Sequence, residues 1–462
     1  MRIALIQTVQ QEDTGRPEIG LGIPYLKSYL LKHEPDVEVD LFVNDDRFKT
    51  FDPTHYNLVG ISSVSFCFDE AKEIAKMVKE KNDIPVLLGG SHISNLPQSI
   101  EYKYFDIGVI GEGEQTFLEL VQAHKKYNRF TPNILESIKG ICFVNDEKYC
   151  FTGHRDYIFP LDNIPNFNKD FLRITGALPY VVSTRGCPFN CKYCSSQTMW
   201  KRKLRFHSAD YVLKDILEIQ ELFPEERRII FKDDNFTANK NMLLGLIENL
   251  DKIEKRRAKF IGSTHIKFIN EEMLRIFKIL NVIKINFGIE TASNRLLRII
   301  RKGMTKEDAQ ATLDLCYKNG ITTGSSFLIG LPEETEDDLK ETYEFTLDNM
   351  KRNKLFTTGT NLLTPLPGLK SEYWDTAVNK YDIDIHTFEW KRLDLRSFHA
   401  YYLQRNGGTI KDWWAWRKMK KALYIGGLPE DKFLKVIEPY EIELIRYNKA
   451  NSKREGACAN KS

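Results

Sequence analysis

The chain has 462 residues, which is more than one hydrophobic core usually supports, so two or three domains are expected. Its 67 basic residues nearly balance its 64 acidic residues, and the net charge of +3 gives no argument for a nucleic-acid or membrane partner. The hydrophobic share of 42% is ordinary for a globular protein. The sequence shows no run of about 18 apolar residues and no signal-peptide pattern, so we expect a soluble, cytoplasmic protein.

Five short apolar stretches in the first third of the chain alternate with helical patterns. They lie at 3–9, 37–43, 58–65, 85–89 and 107–110. Strands that are apolar on both faces and separated by helices are typical of a parallel sheet with helices on both sides. The pattern therefore predicts an open, doubly wound α/β domain over residues 1–127, with ligands beyond the carboxyl ends of its strands.

Motifs rich in serine or glycine follow three of these strands. They are Ser62-Ser63-Val64-Ser65, Gly89-Gly90-Ser91-His92 and Gly111-Glu112-Gly113-Glu114. Glycine lets a bulky ligand approach the backbone closely, although a tight turn from strand to helix requires glycine as well. The set resembles the Rossmann-type cobalamin-binding domains. That resemblance implies that the slot for the nucleotide tail is bordered by Ser62, Ser63, Gly89, Gly90, Gly111 and Glu112.

The chain departs from the cobalamin-binding pattern after its second predicted strand. Residues 44–48 read Asn-Asp-Asp-Arg-Phe, where that family has an Asp-x-His-x-x-Gly motif whose histidine binds cobalt from below. The resemblance thus implies cobalamin with no histidine lower ligand, or a domain of the same fold that has lost the cofactor.

Residues 128–177 are predicted to connect this domain to the next one. The β-rich stretches 141–144 and 149–152 flank the polar segment Asn-Asp-Glu-Lys, which predicts a hairpin. Irregular chain follows as far as the next strand, so we assign the whole segment a linking role.

Three cysteines follow, with three and then two residues between them: Cys187, Cys191 and Cys194. Neither a helix nor a strand aligns all three on one face, so their thiolates are predicted to close a loop around a soft metal centre. A structural zinc ion would need a fourth ligand, for which His207 is the candidate. Three thiolates on a four-iron cluster would instead leave one iron open to bind a cofactor.

The pattern Cys187-x3-Cys191-x2-Cys194, with Tyr193 before the last cysteine, resembles the signature of the radical S-adenosylmethionine (SAM) enzymes. In that family the open iron of a 4Fe-4S cluster binds the amino and carboxylate groups of SAM. An electron from the cluster then cleaves SAM to a 5′-deoxyadenosyl radical. The N-terminal motifs resemble in particular the cobalamin-binding domains that are fused ahead of radical SAM barrels.

Six β-rich runs separated by helical patterns predict a partial (β/α)6 TIM barrel over residues 178–370. The runs lie at 180–184, 228–232, 260–264, 282–289, 321–329 and 355–363. Two of the intervening helices have N-terminal cap signals, which begin at Thr305 and Thr335. In such barrels the chemistry collects at the carboxyl ends of the strands.

The resemblance to radical SAM enzymes implies contacts to SAM at these strand ends. It places the SAM amino group near Lys232, Asp233 and Asp234, and the polar end of SAM near Glu290. It further implies that Ser325 and Ser326 meet the ribose hydroxyls. The adenine is expected near Tyr193 and the turn that contains Leu366.

Residues 371–462 are aromatic and basic, with Trp413-Trp414-Ala415-Trp416 as the densest stretch. Such residues usually pack helices onto a neighbouring domain, so a helical C-terminal region is predicted, with a cap over the site as the alternative. The final residues, 451–462, are polar and predicted to be disordered.

The functional hypothesis is a cobalamin-dependent radical SAM enzyme that methylates an unactivated carbon of a small molecule. Methyl would pass from SAM to cobalt and then to a substrate radical, with an electron donor such as flavodoxin or ferredoxin. The first alternative is a cobalamin-independent radical rearrangement, dehydration, cyclisation or coupling. The second is a zinc-binding interaction protein. The substrate-contacting residues have no general signature, so the sequence does not identify the substrate.

Overall fold

The computed structural model describes residues 1–8, 19–43, 46–254, 258–329, 331, 333–363, 366–368, 373–375, 384–387 and 390. The chain divides into two compact units, the first with residues 1–286 and 365–394 and the second with 287–364 and 395–462. No helix in the described ranges has an apolar stretch long enough to cross a membrane. Most of the predicted helical C-terminal region, 371–462, lies outside the described residues, as does all of the predicted disordered end, 451–462.

The N-terminal part of the first unit is built on one twisted sheet. Its strands are β1 (Arg2–Gln7), β2 (Glu38–Val43), β3 (Leu58–Ser62), β4 (Val86–Gly89), β5 (Ile107–Val109), β6 (Ile141–Asn145) and β7 (Lys148–Phe151). Within the described residues their order is β2-β1-β3-β4-β5-β6-β7. The first five strands pair in parallel, which confirms the predicted doubly wound sheet.

The hairpin predicted in the connector extends this sheet instead of standing apart from it. β6 pairs antiparallel with β5, and β7 pairs antiparallel with β6. The two turn residues, Asp146 and Glu147, both have positive φ, which suits the tight hairpin turn whose twist matches that of the strands.

Helices cover the sheet where the apolar periodicity predicts them. They are α1 (Gly22–His33), α2 (Phe68–Lys81), α3 (Ser91–Asn95), α4 (Glu114–Tyr127) and the short α5 (Pro132–Glu136). Apolar side chains of the sheet, such as Ile3 and Leu5, pack with Leu30 and Phe117 from α1 and α4, and all four are at most 3% exposed. Burying each of them contributes about 1.5–3 kcal/mol. The packing leaves the carboxyl ends of β1, β3, β4 and β5 along one edge.

The rest of the first unit begins the barrel. Its elements are α6 (Asp170–Ile174), β8 (Tyr180–Val181), β9 (Thr184–Arg185), α7 (Ser196–Trp200), β10 (Arg205–Phe206), α8 (Ala209–Leu222), β11 (Arg228–Phe231), α9 (Lys240–Glu248), α10 (Leu250–Glu254), β12 (Lys259–Thr264) and α11 (Glu271–Leu280). β11 pairs in parallel with both β8 and β12. β9 and β10 form a separate antiparallel ribbon.

The barrel pattern continues through the second unit. β13 (Val282–Glu290) runs from the first unit into the second, and α12 (Asn294–Ile299), α13 (Lys306–Lys318), β14 (Thr322–Ile329), α14 (Glu336–Arg352) and β15 (Phe356–Leu362) follow. β14 and β15 pair in parallel. Thr305 and Thr335 form the predicted capping boxes, with Asp308 and Asp338. The α/β fold class is thus confirmed, with a parallel N-terminal sheet followed by a partial (β/α)6 barrel.

A buried ion pair fastens the connector to the barrel helices. Lys169, at the start of α6, places its Nζ 2.7 Å from Oδ1 of Asp215 on α8, and both side chains are 0% exposed. Burial lowers the pKa of Lys169 and raises the pKa of Asp215 to about 6. Each charge therefore depends on the other, because neither reaches water.

We expect Asp215→Ala to lower the free energy of unfolding by about 3–5 kcal/mol, because it leaves a buried lysine without its counter-charge. Urea unfolding followed by circular dichroism measures the effect. The double variant Lys169→Met, Asp215→Leu should recover most of the loss, since apolar side chains of similar volume replace such pairs well. A double variant as unstable as Asp215→Ala would contradict this account.

Candidate active site

The three predicted cysteine ligands lie on one loop between β9 and α7. None of Cys187, Cys191 and Cys194 is in a disulfide. The Cys194 amide and the Gln197 side chain both donate to the Cys191 carbonyl, at 3.2 and 2.8 Å. Burial raises the pKa of Cys187 and of Cys194, and the charges of Asp234 and Cys191 raise both further. The thiols of the loop are therefore close enough for the charge of one to raise the pKa of another.

Three thiols on one loop, none of them in a disulfide, are the donor set that suits a 4Fe-4S cluster with one open iron. Within the described ranges, no group of three His, Cys, Asp or Glu side chains is close enough to hold a single metal ion. A cubic cluster carries its irons at separate corners, so its ligands do not have to meet at one point. His207, the candidate fourth zinc ligand, has its Nδ1 2.9 Å from Oδ1 of Asp162 and stacks on Tyr211 with ring centroids 3.7 Å apart.

A glycine shapes the start of the cysteine loop. Gly186 follows β9 and has a φ of +109°, which side chains rarely adopt. A Cβ at this position would collide with the carbonyl oxygen of Lys203. The pairing of β9 with β10 brings the two ends of the cysteine segment side by side, and the absence of a side chain at Gly186 makes this close approach possible.

The carboxyl end of β11 supports the same loop. Asp233, which is 6% exposed, accepts hydrogen bonds from the Ser183 amide at 2.9 Å, the Ser183 hydroxyl at 2.6 Å and the Thr184 amide at 2.8 Å. Burial raises the pKa of Asp233 to about 6 despite these donors. In the structure Asp233 thus holds the chain just before the cysteine loop, while its predicted contact to SAM stays a prediction.

Asn235 is a site residue that the sequence reasoning missed. Its Nδ2 donates to Sγ of Cys187 at 3.1 Å, and its Oδ1 accepts from the amide of His265 at 2.8 Å. The His265 ring stacks on Phe189 of the cysteine loop, with centroids 3.9 Å apart. The sequence offered one indication of this role, the position of Asn235 in the polar run that ends β11. A helix cap explains such a residue equally well.

A cleft of about 370 Å³ lies within the first unit, at the carboxyl ends of the N-terminal strands. One wall consists of the predicted Ser62, Gly89, Gly90, Gly111 and Glu112. The other includes Thr184, Arg185 and Gly186 beside the cysteine loop, with Lys232 and Asp234. The structure therefore brings the predicted cobalamin-side residues and part of the predicted SAM-side residues to one cavity.

The glycine wall of this cleft is open, as a ligand slot requires. A Cβ at Gly111 would meet no atom within 4 Å, and the nearest atom to one at Gly89 would be 3.9 Å away. Gly90, with a φ of +94°, has a different role, because a Cβ there would lie 2.5 Å from the Ser63 carbonyl oxygen. Ser63 itself is buried below the wall, with its hydroxyl 3.0 Å from that of Thr8.

The predicted residues beyond β12 lie partly in the second unit. Glu290 ends β13 with a φ of +71°, is 7% exposed, and accepts a hydrogen bond from Nζ of Lys302 at 3.1 Å. Ser325 and Ser326 are neighbours on β14, so their side chains are on opposite faces of the sheet. Ser325 is buried, at 3% exposure. In the first unit, Tyr193 and Leu366 are half-buried. These assignments to SAM stay predictions.

A histidine of the second glycine motif has a structural environment that the sequence did not reveal. His92 is fully buried, with its ring nitrogens 3.1 Å from Ser65 Oγ and 2.8 Å from Ser99 Oγ. Its ring lies against Phe68 and against Trp390, at centroid distances of 3.9 and 4.6 Å. Burial lowers the pKa of His92 to about 3, so the ring is neutral at physiological pH.

We expect Gly186→Ala to reduce the iron bound after anaerobic reconstitution, because the added methyl group must displace the Lys203 backbone and with it the loop. Gly153→Ala is the matched control: Gly153 also has a positive φ, +88°, but a Cβ there would meet no atom within 4 Å. Both variants carry the backbone penalty of about 1–2 kcal/mol, so only the collision differs. Equal iron contents in the two variants would contradict this role of Gly186.

Comparison with known proteins agrees with this geometry. The model of the radical SAM superfamily matches residues 181–346, and that of the B12 binding domain matches residues 15–121. The two matched segments contain, respectively, the cysteine loop and the glycine wall of the cleft.

Relatives and a solved structure cover most of the chain. An uncharacterized methyltransferase of Pyrococcus horikoshii, PH0819, is 31% identical over 382 residues, which is 79% of each chain. Bacteriochlorophyllide d C-12(1)-methyltransferase of Chlorobaculum tepidum is 22% identical and covers 91% of this chain and 86% of its own. The fold resembles that of the radical SAM methyltransferase TsrM from Kitasatospora setae, solved with cobalamin and a [4Fe-4S] cluster bound, with a TM-score of 0.65, 18% identity and coverage of 85% and 81%. The chain therefore belongs to the radical SAM superfamily, as an enzyme with a B12 binding domain ahead of its radical SAM domain, and its cofactors are a 4Fe-4S cluster, SAM and cobalamin.

Proposed function

We propose that the protein is a cobalamin-dependent methyltransferase that places a methyl group from SAM on an unactivated carbon of a small molecule. The observation that carries this proposal is the shared cleft, whose walls come from the B12 binding domain and from the chain beside the cysteine loop. A methyl donor and a carbon radical must meet at one substrate, and a cavity bordered by both halves of the machinery provides such a place.

When bound, the cluster and SAM supply a radical that removes a hydrogen atom from the substrate, and cobalamin supplies the methyl group. The chain's own residues hold and orient these groups. Cys187, Cys191 and Cys194 are the proposed iron ligands. Hydrogen bonds to cluster sulfurs are one of the factors that tune cluster potentials, and Asn235 donates such a bond to Cys187.

Part of the cleft lining is apolar and includes Leu5, Ile61, Leu87 and Phe117. Such a lining suits a substrate or cofactor with a hydrophobic part, which it can hold in a defined position. Lys232 and Asp234 add charges at the other wall, where the polar end of a cofactor or substrate would be oriented.

Three of the proposed contacts to SAM, Glu290, Ser325 and Ser326, belong to the second unit. In its described residues, Ser325 Oγ, Thr323 Oγ1 and Thr358 Oγ1 are buried without hydrogen-bond partners. Ser325 and Thr358 are paired in register on β14 and β15. An unsatisfied buried hydroxyl costs about 1–3 kcal/mol, so a ligand with hydroxyl groups, such as the SAM ribose, suits this position. Glu290 is the proposed contact to the polar end of SAM.

The substrate and the electron donor are proposed only by class. The named relative from Chlorobaculum tepidum acts on bacteriochlorophyllide d, a large ring system, and the apolar lining of the cleft suits a substrate with a sizeable hydrophobic part. A one-electron donor such as flavodoxin or ferredoxin is proposed for the cluster, because SAM cleavage consumes an electron.

We expect Glu290→Ala to raise the dissociation constant of SAM by a factor that corresponds to about 1.5–3 kcal/mol, because a charge-assisted contact is lost. Equilibrium dialysis against cluster-loaded protein measures this, and the iron content should not change. Glu290→Gln keeps an acceptor for Lys302 but loses the charge, so it should weaken SAM binding as well. Wild-type SAM affinity in Glu290→Gln would show that the carboxylate only supports Lys302.

The proposed function is tested with SAM that carries a trideuterated methyl group. Holoenzyme, reductant and small-molecule extracts from cells lacking this protein should yield 5′-deoxyadenosine, S-adenosylhomocysteine and a product heavier by one labelled methyl group. Liquid chromatography with mass spectrometry detects all three. Labelled product that forms equally well without cobalamin would overturn the proposal.

The variant Gly89→Val separates the two halves of this activity. Its side chain enters the cleft where a Cβ has room, so we expect loss of cobalamin binding and of labelled product with little change in iron content. SAM cleavage to 5′-deoxyadenosine should persist. Retention of tight cobalamin binding in Gly89→Val would place the cofactor elsewhere, and substrate-dependent cleavage without methylation in the wild type would favour the cobalamin-independent alternative.

A further inference from the structure

Four buried charges join the B12 binding domain to the cysteine loop. Arg185 on β9 and Arg205 on β10 contact Glu112 and Glu114, which lie in the Gly111-Glu112-Gly113-Glu114 motif after β5. The four side chains are between 6% and 11% exposed. Two positive and two negative charges leave the group neutral, which makes its burial possible.

The contacts converge on Glu112. Arg205 donates to it as a fork, from Nη2 to Oε1 at 2.7 Å and from Nη1 to Oε2 at 2.9 Å. Arg185 Nη1 donates to Oε1 at 2.8 Å, and the Ile158 amide donates to Oε2 at 3.3 Å. A carboxylate has about four acceptor positions, so these donors fill the capacity of Glu112. Its direct contact to a cofactor, predicted from the family resemblance, would require one of these bonds to break.

The two arginines face each other across the β9–β10 ribbon. Arg205 is the register partner of Arg185, so two like charges stand directly opposite one another. Such a pair is destabilising unless opposite charge compensates it. Glu112 compensates both arginines, and Glu114 accepts a further bond from Arg185 Nη1 at 2.7 Å. The pairing of this ribbon therefore depends on two carboxylates that the B12 binding domain supplies.

The ribbon is also the frame of the cysteine loop. Arg185 precedes Gly186 and Cys187 directly, and Arg205 closes the segment on its other side. Aromatic rings hold both guanidinium groups in place: Arg185 lies 5.0 Å from the Tyr25 ring centroid, and Arg205 lies 4.6 Å from that of Tyr157. Arg185, Glu112 and Glu114 line the cleft as well.

We propose that Glu112, Glu114, Arg185 and Arg205 are positioning residues that fix the cysteine loop against the B12 binding domain. The inference rests on the proposed function for its purpose, because methyl transfer needs both cofactors at a set separation. Its physical content is independent of that function: the charges of one domain hold the loop of the other. The glutamates of the motif then act through the arginines and touch neither the reacting atoms nor the cobalt.

The experiment follows amide hydrogen exchange in the full-length, cluster-loaded protein by mass spectrometry. In Arg185→Gln, exchange in residues 183–206 and 111–115 should accelerate by about tenfold or more, because local opening no longer has to separate a buried ion pair. Exchange in β3 and β4 should stay at the wild-type rate. Arg155→Gln is the matched control, since Arg155 pairs with Glu119 on α4 and contacts neither strand of the ribbon.

Conservative variants distinguish positioning from general destabilisation. Arg185 reaches both carboxylates from one nitrogen, so Arg185→Lys should restore slow exchange. Arg205 uses a two-nitrogen fork, which lysine cannot reproduce. Exchange in the same residues should therefore be faster in Arg205→Lys than in the wild type. The electron paramagnetic resonance signal of the reduced cluster, recorded with SAM, should shift in Arg185→Gln and return in Arg185→Lys.

Several outcomes would overturn the proposal. Wild-type exchange in Arg185→Gln, acceleration spread evenly over β3 and β4, or an Arg185→Lys variant as fast as Arg185→Gln would each do so. If Arg185→Gln does not fold, Glu114→Gln removes only one partner of Arg185 and carries the same test. If the wild-type protein neither transfers methyl groups nor binds cobalamin, the proposed function is refuted, but the exchange result still stands.

Discussion

The structure depends on holding one irregular loop with three cysteines in a fixed conformation. Ordering each loop residue costs about 1–2 kcal/mol of backbone entropy, and a loop has no ladder of its own hydrogen bonds to offset this. Here the β9–β10 ribbon joins the two ends, Asp233 binds the chain just before the loop, and Asn235 contacts Cys187. The barrel thus supports the loop that carries the three proposed iron ligands.

The second constraint is that this loop must face the N-terminal sheet. Parallel sheets place ligands at the carboxyl ends of their strands, and at that edge β4 and β5 lead into glycine turns while β3 ends at Ser62. The connector supports the arrangement from both sides. Its hairpin adds two strands to the sheet, and Lys169 binds Asp215 of the barrel. The connector is therefore part of both halves and not a passive linker.

Local signals in the sequence predicted most of the architecture. Apolar periodicity located the parallel strands, the cap residues located α13 and α14, and the cysteine spacing indicated the loop of the proposed iron ligands. These features are encoded within a few neighbouring residues. The family resemblance supplied the cofactors, which the comparisons confirm.

Long-range pairing was beyond such reasoning. Glu112 meets Arg185 and Arg205 across 73 and 93 residues of chain, and no local pattern links them. The family resemblance implied a ligand contact for Glu112, and in the structure the two arginines bind that carboxylate. His92 likewise gave no sign that Trp390 would cover it. Such partners become visible only when the fold is known.

The central claim is that one cleft serves a cluster on the cysteine loop and a cobalamin on the glycine wall. Anomalous diffraction from crystals of the anaerobically loaded enzyme, recorded at the iron and cobalt absorption edges, tests it most directly. The account predicts an iron signal next to the sulfur atoms of Cys187, Cys191 and Cys194, and a cobalt signal in the cleft beside Gly89 and Gly111. A zinc ion at the cysteines, or cobalt bound away from the cleft, would contradict it.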